Sequence, residues 1–231
     1  MKDINPEEEK LVLKAYNEQK VGARRLEKII EYRYGKHIPH NRIHKILLQN
    51  NLARQNENKK RRRKKWIRYE WKHSLSMVHL DWHTAELLKK EVCVVLDDSS
   101  RKILAGGEFD NATEENSINL LKRVIEEYRK IRMLREVLTD RGSQFYASKR
   151  DKEGDAENGF ELFLKDQGIK HILGRVKHPQ TNGKLEKWYD TYEKHRMEHE
   201  TFEEFVNWYN TVRYHESLDK SHYLQTPEEA F

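Results

Sequence analysis

Sulfur chemistry is almost absent from this sequence, whose 231 residues include a single cysteine, Cys93, inside an apolar run. One thiol can build neither a disulfide framework nor a cysteine-based zinc site, and it fits a reducing cytoplasm. No apolar stretch approaches the roughly 18–20 residues of a membrane span, and the first residues are acidic where a signal peptide would be basic and then apolar. The expectation is a soluble, cytoplasmic protein that is not exported. Hydrophobic residues are also sparse, at 36%, and are matched by an equal share of charged ones. Five Trp, eleven Tyr and seven Phe nonetheless supply large apolar bodies for a core. The length suits one mid-sized α/β domain with a small accessory domain.

Charge is unevenly spread along the chain. Residues 1–72 hold 21 lysines and arginines against 9 acids, a net charge of +12, while the remaining 24 basic and 30 acidic residues leave −6. A basic front end suits a polyanion and an acidic back end suits carboxylates gathered for cations. A solvated basic tail beside an ordinary acidic domain gives the same totals.

Hydrophobic periodicity predicts three short amphipathic helices at the front. The first covers 6–18, with Pro6 at its start, Glu7, Glu8 and Glu9 at the positive end, and Leu11, Val12, Ala15 and Tyr16 on one face. After Gly22 a second carries Leu26, Ile29 and Ile30 and is closed by Gly35; a third starts near Pro39 and buries Ile43, Ile46 and Leu47. Residues 1–56 thus read as a small all-α helix-turn-helix domain whose third helix presents His40, Asn41, Arg42 and Lys45 to DNA. A helical bundle with a merely polar outer face fits the same pattern.

Residues 57–72 read as a basic linker. Lys59, Lys60, Arg61, Arg62, Arg63, Lys64 and Lys65 are consecutive, and Trp66, Arg68, Tyr69 and Trp71 follow. Like charges repel, so this arm is expected to be extended and to meet a phosphate backbone, with the aromatics free to stack. A solvated linker is the plainer reading.

From residue 75 the pattern is that of strands: 75–81, 91–97 and 102–109 are short Val, Leu and Ile runs separated by polar turns. A helix over 113–131, an apolar run Met133–Leu138, a polar loop at 148–158, a helix over 159–167, a strand at 169–173 and helices at 181–198 and 201–213 complete the series. Residues 73–231 are therefore expected to form a mixed α/β sheet.

Three acids stand out by position. Asp81 ends the first strand within HLDWH, Asp140 follows the fourth apolar run in TDRGSQF, and Glu186 adjoins the stripe Leu185, Trp188 and Tyr192 in HPQTNGKLEKWY. Taken singly, such residues serve more often as turn formers, caps or solvated side chains.

Taken together, these strings resemble the DDE transposases and retroviral-type integrases, specifically the integrase core of bacterial and archaeal insertion sequences. LDDSSRKILAG, YNTVRYHESL and TPEEAF extend the resemblance over nearly the whole chain. It implies a ribonuclease H-like mixed five-stranded sheet flanked by helices, with Asp81 and Asp140 on neighbouring strands and Glu186 closing the site from a helix. It further implies two Mg²⁺ (or Mn²⁺) ions on those acids, transposon ends and target DNA as partners, and a homo-oligomer of at least two copies. Hard oxygen ligands without cysteine suit such ions.

Two local departures accompany the resemblance. The 45 residues between Asp140 and Glu186 exceed the spacing of about 35 familiar in the family, and an insertion at 148–158 accounts for this, since surface loops lengthen at little cost. Tyr214 stands where relatives commonly have proline.

Arg141, Lys177, Lys184 and Lys187 are expected along the DNA backbone, with surface solubility as the plainer role. Asp97 and Asp98 could approach the cations, although turn roles suit them better. His37, His40 and His44 lack the cysteines of a zinc site. Two other functions fit the same fold, a DNA-binding regulator that lost activity and a structure-specific nuclease.

Overall fold

The computed structural model describes residues 5–54, 70–147, 158–174, 183–219 and 224–231. The chain forms two compact units, Met1–Arg68 with Thr211–Thr226, and Tyr69–Asn210 with Pro227–Phe231.

The smaller unit contains α1 (Pro6–Gln19), α2 (Ala23–Tyr34) and α3 (His40–Gln49). Asn5 caps α1 by accepting the Glu7 N–H at 3.0 Å, and Gly35 ends α2 in the left-handed conformation at φ 61° that glycine adopts without strain. Val12, Ala15, Leu26, Ile30, Ile38, Ile43, Ile46 and Leu47 form its core.

Sequence continuity assigns residues 211–226 to the catalytic core, yet they pack into this helical unit. Gln19, fully buried, donates to the Val212 carbonyl at 2.8 Å and accepts the Tyr214 N–H at 3.0 Å. Arg25 forks onto the carboxylate of Asp219, one branch at 2.6 Å.

The larger unit is built on β1 (Met77–Ala85), β2 (Lys90–Asp97), β3 (Ile103–Phe109), β4 (Glu136–Thr139) and β5 (Lys170–Leu173), with α4 (Glu114–Tyr128), α5 (Gly159–Asp166), α6 (Gly183–His195), α7 (Phe202–Thr211) and α8 (Pro227–Ala230). The strand order is β3-β2-β1-β4-β5. β1 pairs antiparallel with β2, as β2 does with β3, while β1 with β4 and β4 with β5 are parallel. This is the mixed five-stranded sheet flanked by helices that the sequence leads one to expect.

Both faces of the sheet are covered, which is why β2 reads as the unbroken apolar run Val92–Leu96 rather than as an alternation. Cys93 and Val95 point to one cluster with Leu120, Leu121 and Val124 of α4 and Phe160 and Leu164 of α5. Val92, Val94 and Leu96 point to the other, with Leu185, Trp188 and Tyr192 of α6 and Phe202 and Phe205 of α7. Asn158 and Glu161 form a reciprocal cap at the start of α5, satisfying two backbone donors. Among the described residues no helix is long and apolar enough to cross a membrane.

Candidate active site

Pairing between β1 and β4 runs from Met77↔Glu136 to His79↔Leu138 and stops there. β1 itself continues against β2 as far as Ala85↔Lys90, so Asp81 lies inside the strand and not at its end as the sequence suggests. In-register residues of parallel strands project to the same side. Two residues past His79↔Leu138, Asp81 therefore stands opposite Asp140, where β4 has ended. The carboxyl ends of parallel strands are the usual place for a ligand in an open α/β sheet.

Local backbone fixes each carboxylate. Asp81 Oδ1 accepts the Trp82 N–H at 2.9 Å, and Asp140 Oδ1 accepts the Gly142 N–H at 2.8 Å. The turn is close-packed at Gly142, where a Cβ would lie 3.0 Å from Asp140 Oδ1 and 2.6 Å from Gln144 Oε1, so a larger residue would displace the Gln144 side chain and crowd the Asp140 carboxylate. Thr139 anchors the same corner by donating to the Asp140 carbonyl at 2.8 Å and meeting His171 Nε2 at 2.8 Å. Burial holds the His171 imidazole below its ordinary value, against a smaller upward pull from Glu161.

α6 crosses the face of the sheet that Asp81 occupies. Its Tyr189 hydroxyl donates to the Asp81 carbonyl at 2.6 Å. Burial raises that phenol well above its ordinary value, and the charges of Asp81 and Asp140 push the same way, so both acids lie within its electrostatic reach. Glu186 sits one turn earlier on α6 and is exposed.

Among the described residues no three His, Cys, Asp or Glu side chains converge to hold a metal ion. Extending the β1–β4 register sets Asp81 beside Asp140, and among the described residues the two do not form a three-carboxylate group with Glu186. The Asp pair offers hard oxygen donors of the kind magnesium and manganese prefer.

Part of this unit is similar to known proteins. Residues 72–179 match the integrase core domain family. That stretch includes Asp81 and Asp140 and ends before Glu186. A relative named "Putative integrase ORF3" from Spiroplasma virus SpV1-C74 is 27% identical over 144 residues, 56% of this chain and 39% of that protein. The chain thus spans about two fifths of that relative's length. The crystal structure of the catalytic core domain of BIV integrase aligns over 67% of this chain and 92% of that one, with TM-score 0.49 and 17% identity.

The basic residues expected to line DNA take different positions. Arg141 is exposed, with its guanidinium 5.9 Å from the Tyr146 ring. Lys187 is exposed beside Asp190 at 3.5 Å. Lys184 instead turns inward to the carboxylate of Asp98 and, at 3.1 Å, to its carbonyl. Lys177 lies outside the described residues, as do Lys59 to Lys65 and all of the expected insertion at 148–158 except Asn158, which caps α5.

In the helical unit Asn41 and Lys45 are exposed. His40 is held by Glu27 at 3.0 Å and Arg42 by Glu8 at 2.8 Å, so acids of the same unit engage half of the expected reading surface.

Asp97 and Asp98 are both structural. Asp97 accepts from the Leu75 N–H at 2.7 Å and from Ser100, N–H at 2.8 Å and hydroxyl at 2.7 Å. Asp98 accepts from the Trp71 N–H at 2.8 Å and pairs with His79 Nε2 at 2.7 Å. Burial alone would raise the Asp98 carboxyl, but the His79 hydrogen bond and the Lys184 charge hold it well below the carboxylate range. Sequence reading overlooks His79, His83, Tyr189 and Glu193; the alternation of His79, Asp81 and His83 along one strand is the available signal.

Proposed function

We propose that this chain is a DNA transposase or integrase that frees a 3′-hydroxyl at a mobile element's end and joins it to target DNA. The observation that supports this reading is the β1–β4 register, whose extension by two residues sets Asp81, inside β1, beside Asp140, just past the end of β4, within a stretch similar to an integrase core domain. Asp81, Asp140 and Glu186 are the acids assigned to two Mg²⁺ or Mn²⁺ ions, with Glu186 completing the set when cation and DNA are bound. Those ions, when bound, supply Lewis acidity and neutralise charge developing on the transferred phosphoryl group.

The remaining parts follow from the same reading. Residues 1–56 recognise DNA, the arm at 57–72 holds phosphates, and residues 73–231 carry the chemistry. Arg141, Lys177 and Lys187 position the DNA backbone. Two ends must be joined together, which calls for at least a dimer, acting in the cytoplasm on the nucleoid.

The test is an assay with pre-cut element ends, a target plasmid and Mn²⁺. Joined products are the expected result. Nicking without joining would replace the proposal by a structure-specific nuclease, and binding without either would replace it by a regulator.

A further inference from the structure

Polar contacts at three levels tie α6 to the face of β1 that carries Asp81. Near the start of the helix Lys184 donates to Asp98, whose carboxylate also holds His79 Nε2 at 2.7 Å. In the middle the Tyr189 hydroxyl donates to the Asp81 carbonyl at 2.6 Å. Towards the end Glu193 meets His83 Nε2 at 2.6 Å, and the His83 ring stacks on Tyr189 at 4.6 Å.

The spacing of the two ladders agrees. His79, Asp81 and His83 are alternate residues of one strand, so each step advances about 6.6 Å. Lys184, Tyr189 and Glu193 are five and four residues apart on the helix, or about 7.5 and 6 Å. α6 therefore runs alongside β1 in the same direction, and a slip of one helical turn, about 5.4 Å, would break all three rungs together.

Apolar burial of Leu185, Trp188 and Tyr192 holds α6 on the sheet but is non-directional. Burying Lys184 and Asp98, whose side chains are 19% and 1% exposed, carries a desolvation cost that makes stability a poor reason for the pair. What the polar rungs do supply is a fixed axial register. Glu186 sits between the first and second of them.

We infer that the His79–Asp98–Lys184 and His83–Glu193 contacts are positioning contacts that set the height of α6 against β1, and with it the reach of Glu186 towards Asp81 and Asp140. This rests on the functional reading above. Lys184 accordingly acts inside the protein and not on a DNA phosphate.

The test uses the full chain with Mn²⁺ as probe. Free Mn²⁺ measured by electron paramagnetic resonance gives cation affinity without turnover, and joining of pre-cut ends gives rate. Lys184→Met and Glu193→Gln, singly and combined, are expected to weaken Mn²⁺ binding roughly 10- to 100-fold, as loss of groups that orient ligands does, and to slow joining with DNA binding unchanged. Lys184→Arg, which keeps a donor for Asp98, is expected to restore most of the affinity.

Should Lys184→Met fail to give a cooperative urea transition, His83→Gln on the more exposed rung carries the same expectation. Wild-type Mn²⁺ affinity and joining in the combined variant would overturn the inference. Equal Mn²⁺ binding by wild type and Asp81→Asn, with no joining by either, would instead overturn the functional reading itself.

Discussion

The buried side chain of Gln19 accepts a hydrogen bond from the backbone N–H of Tyr214 at 3.0 Å. Tyr214 occupies the position at which relatives in the resembled family commonly carry proline, a residue with no N–H to give. Here the departure has a use, because the N–H satisfies an acceptor shut away from water. Tyr214→Pro is expected to orphan the Gln19 oxygen and lower stability by about 1–3 kcal/mol. Hydrogen exchange of α1 and the urea midpoint would both report the loss, and unchanged values in the variant would refute it.

Gly106 in β3 gives a second stability prediction. A Cβ there would lie 2.7 Å from Val94 Cγ1, 2.9 Å from Phe202 Cζ and 3.1 Å from the Cys93 carbonyl. The glycine lets the Phe202 ring of α7 pack directly on the sheet. Gly106→Ala is expected to cost about 1–3 kcal/mol through overpacking, read as a lower melting temperature. A variant as stable as wild type would mean that α7 can move off the sheet at no cost.

Elements with a local cause are legible in the sequence to within a few residues. The periods of α2, α3, β2 and β5 and the glycine closing α2 are written in neighbouring side chains. β1 reads as ending at Asp81 because its last residues, His83 to Ala85, are not a clear apolar run; their strand state comes from pairing with β2. Lys184 stands beside Glu186 in a DNA-facing motif and so reads as a phosphate ligand, whereas its partner Asp98 lies 86 residues earlier. Residues 211–226 likewise read as part of the core, although Gln19 and Arg25 hold them in the helical unit. What local sequence does not carry is non-local register, and the meeting of Asp81 with Asp140 depends on it.

Asp98 makes the larger unit sensitive to acid. Its carboxyl is held below its ordinary value of 3.8 by His79 and Lys184, which outweigh the opposing effect of burial. A depressed carboxyl means that the unfolded chain takes up the proton first as pH falls. The stabilisation is therefore fully present above about pH 4–5 and drains away on acidification through and below 3.8. Asp98→Asn keeps the shape and removes the charge, leaving buried Lys184 without its anion. It is expected to cost about 3–5 kcal/mol at pH 7 and to flatten the acid limb of a stability curve measured by urea unfolding at each pH. Parallel curves for the two proteins would show the carboxylate to be uncoupled from its partners.

The three proposed ligands can be tested one at a time. Asp81→Asn, Asp140→Asn and Glu186→Gln each remove one negative oxygen donor and change shape little. Loss of several kcal/mol of transition-state stabilisation corresponds to about a hundred- to thousandfold in joining rate, with DNA binding close to wild type. Retained turnover in any one variant would show that acid to have another role. Glu186→Gln is the sharpest of the three, since Glu186 is exposed on α6 and its role as a ligand belongs to the proposed cation- and DNA-bound state.

Seven consecutive basic residues, Lys59 to Lys65, cannot neutralise one another, and a polyanion is the partner their chemistry fits. If the arm follows the phosphate backbone, each neutralised phosphate releases counterions, and the slope of log affinity against log salt records how many phosphates are engaged. Replacing all seven by glutamine is expected to weaken binding to every DNA sequence alike and to reduce that slope by about 0.9 for each phosphate the arm no longer neutralises. Specific and random duplexes titrated at several salt concentrations separate this from base reading. A weakening confined to one sequence, with the slope unchanged, would mean that the arm reads bases and not phosphates.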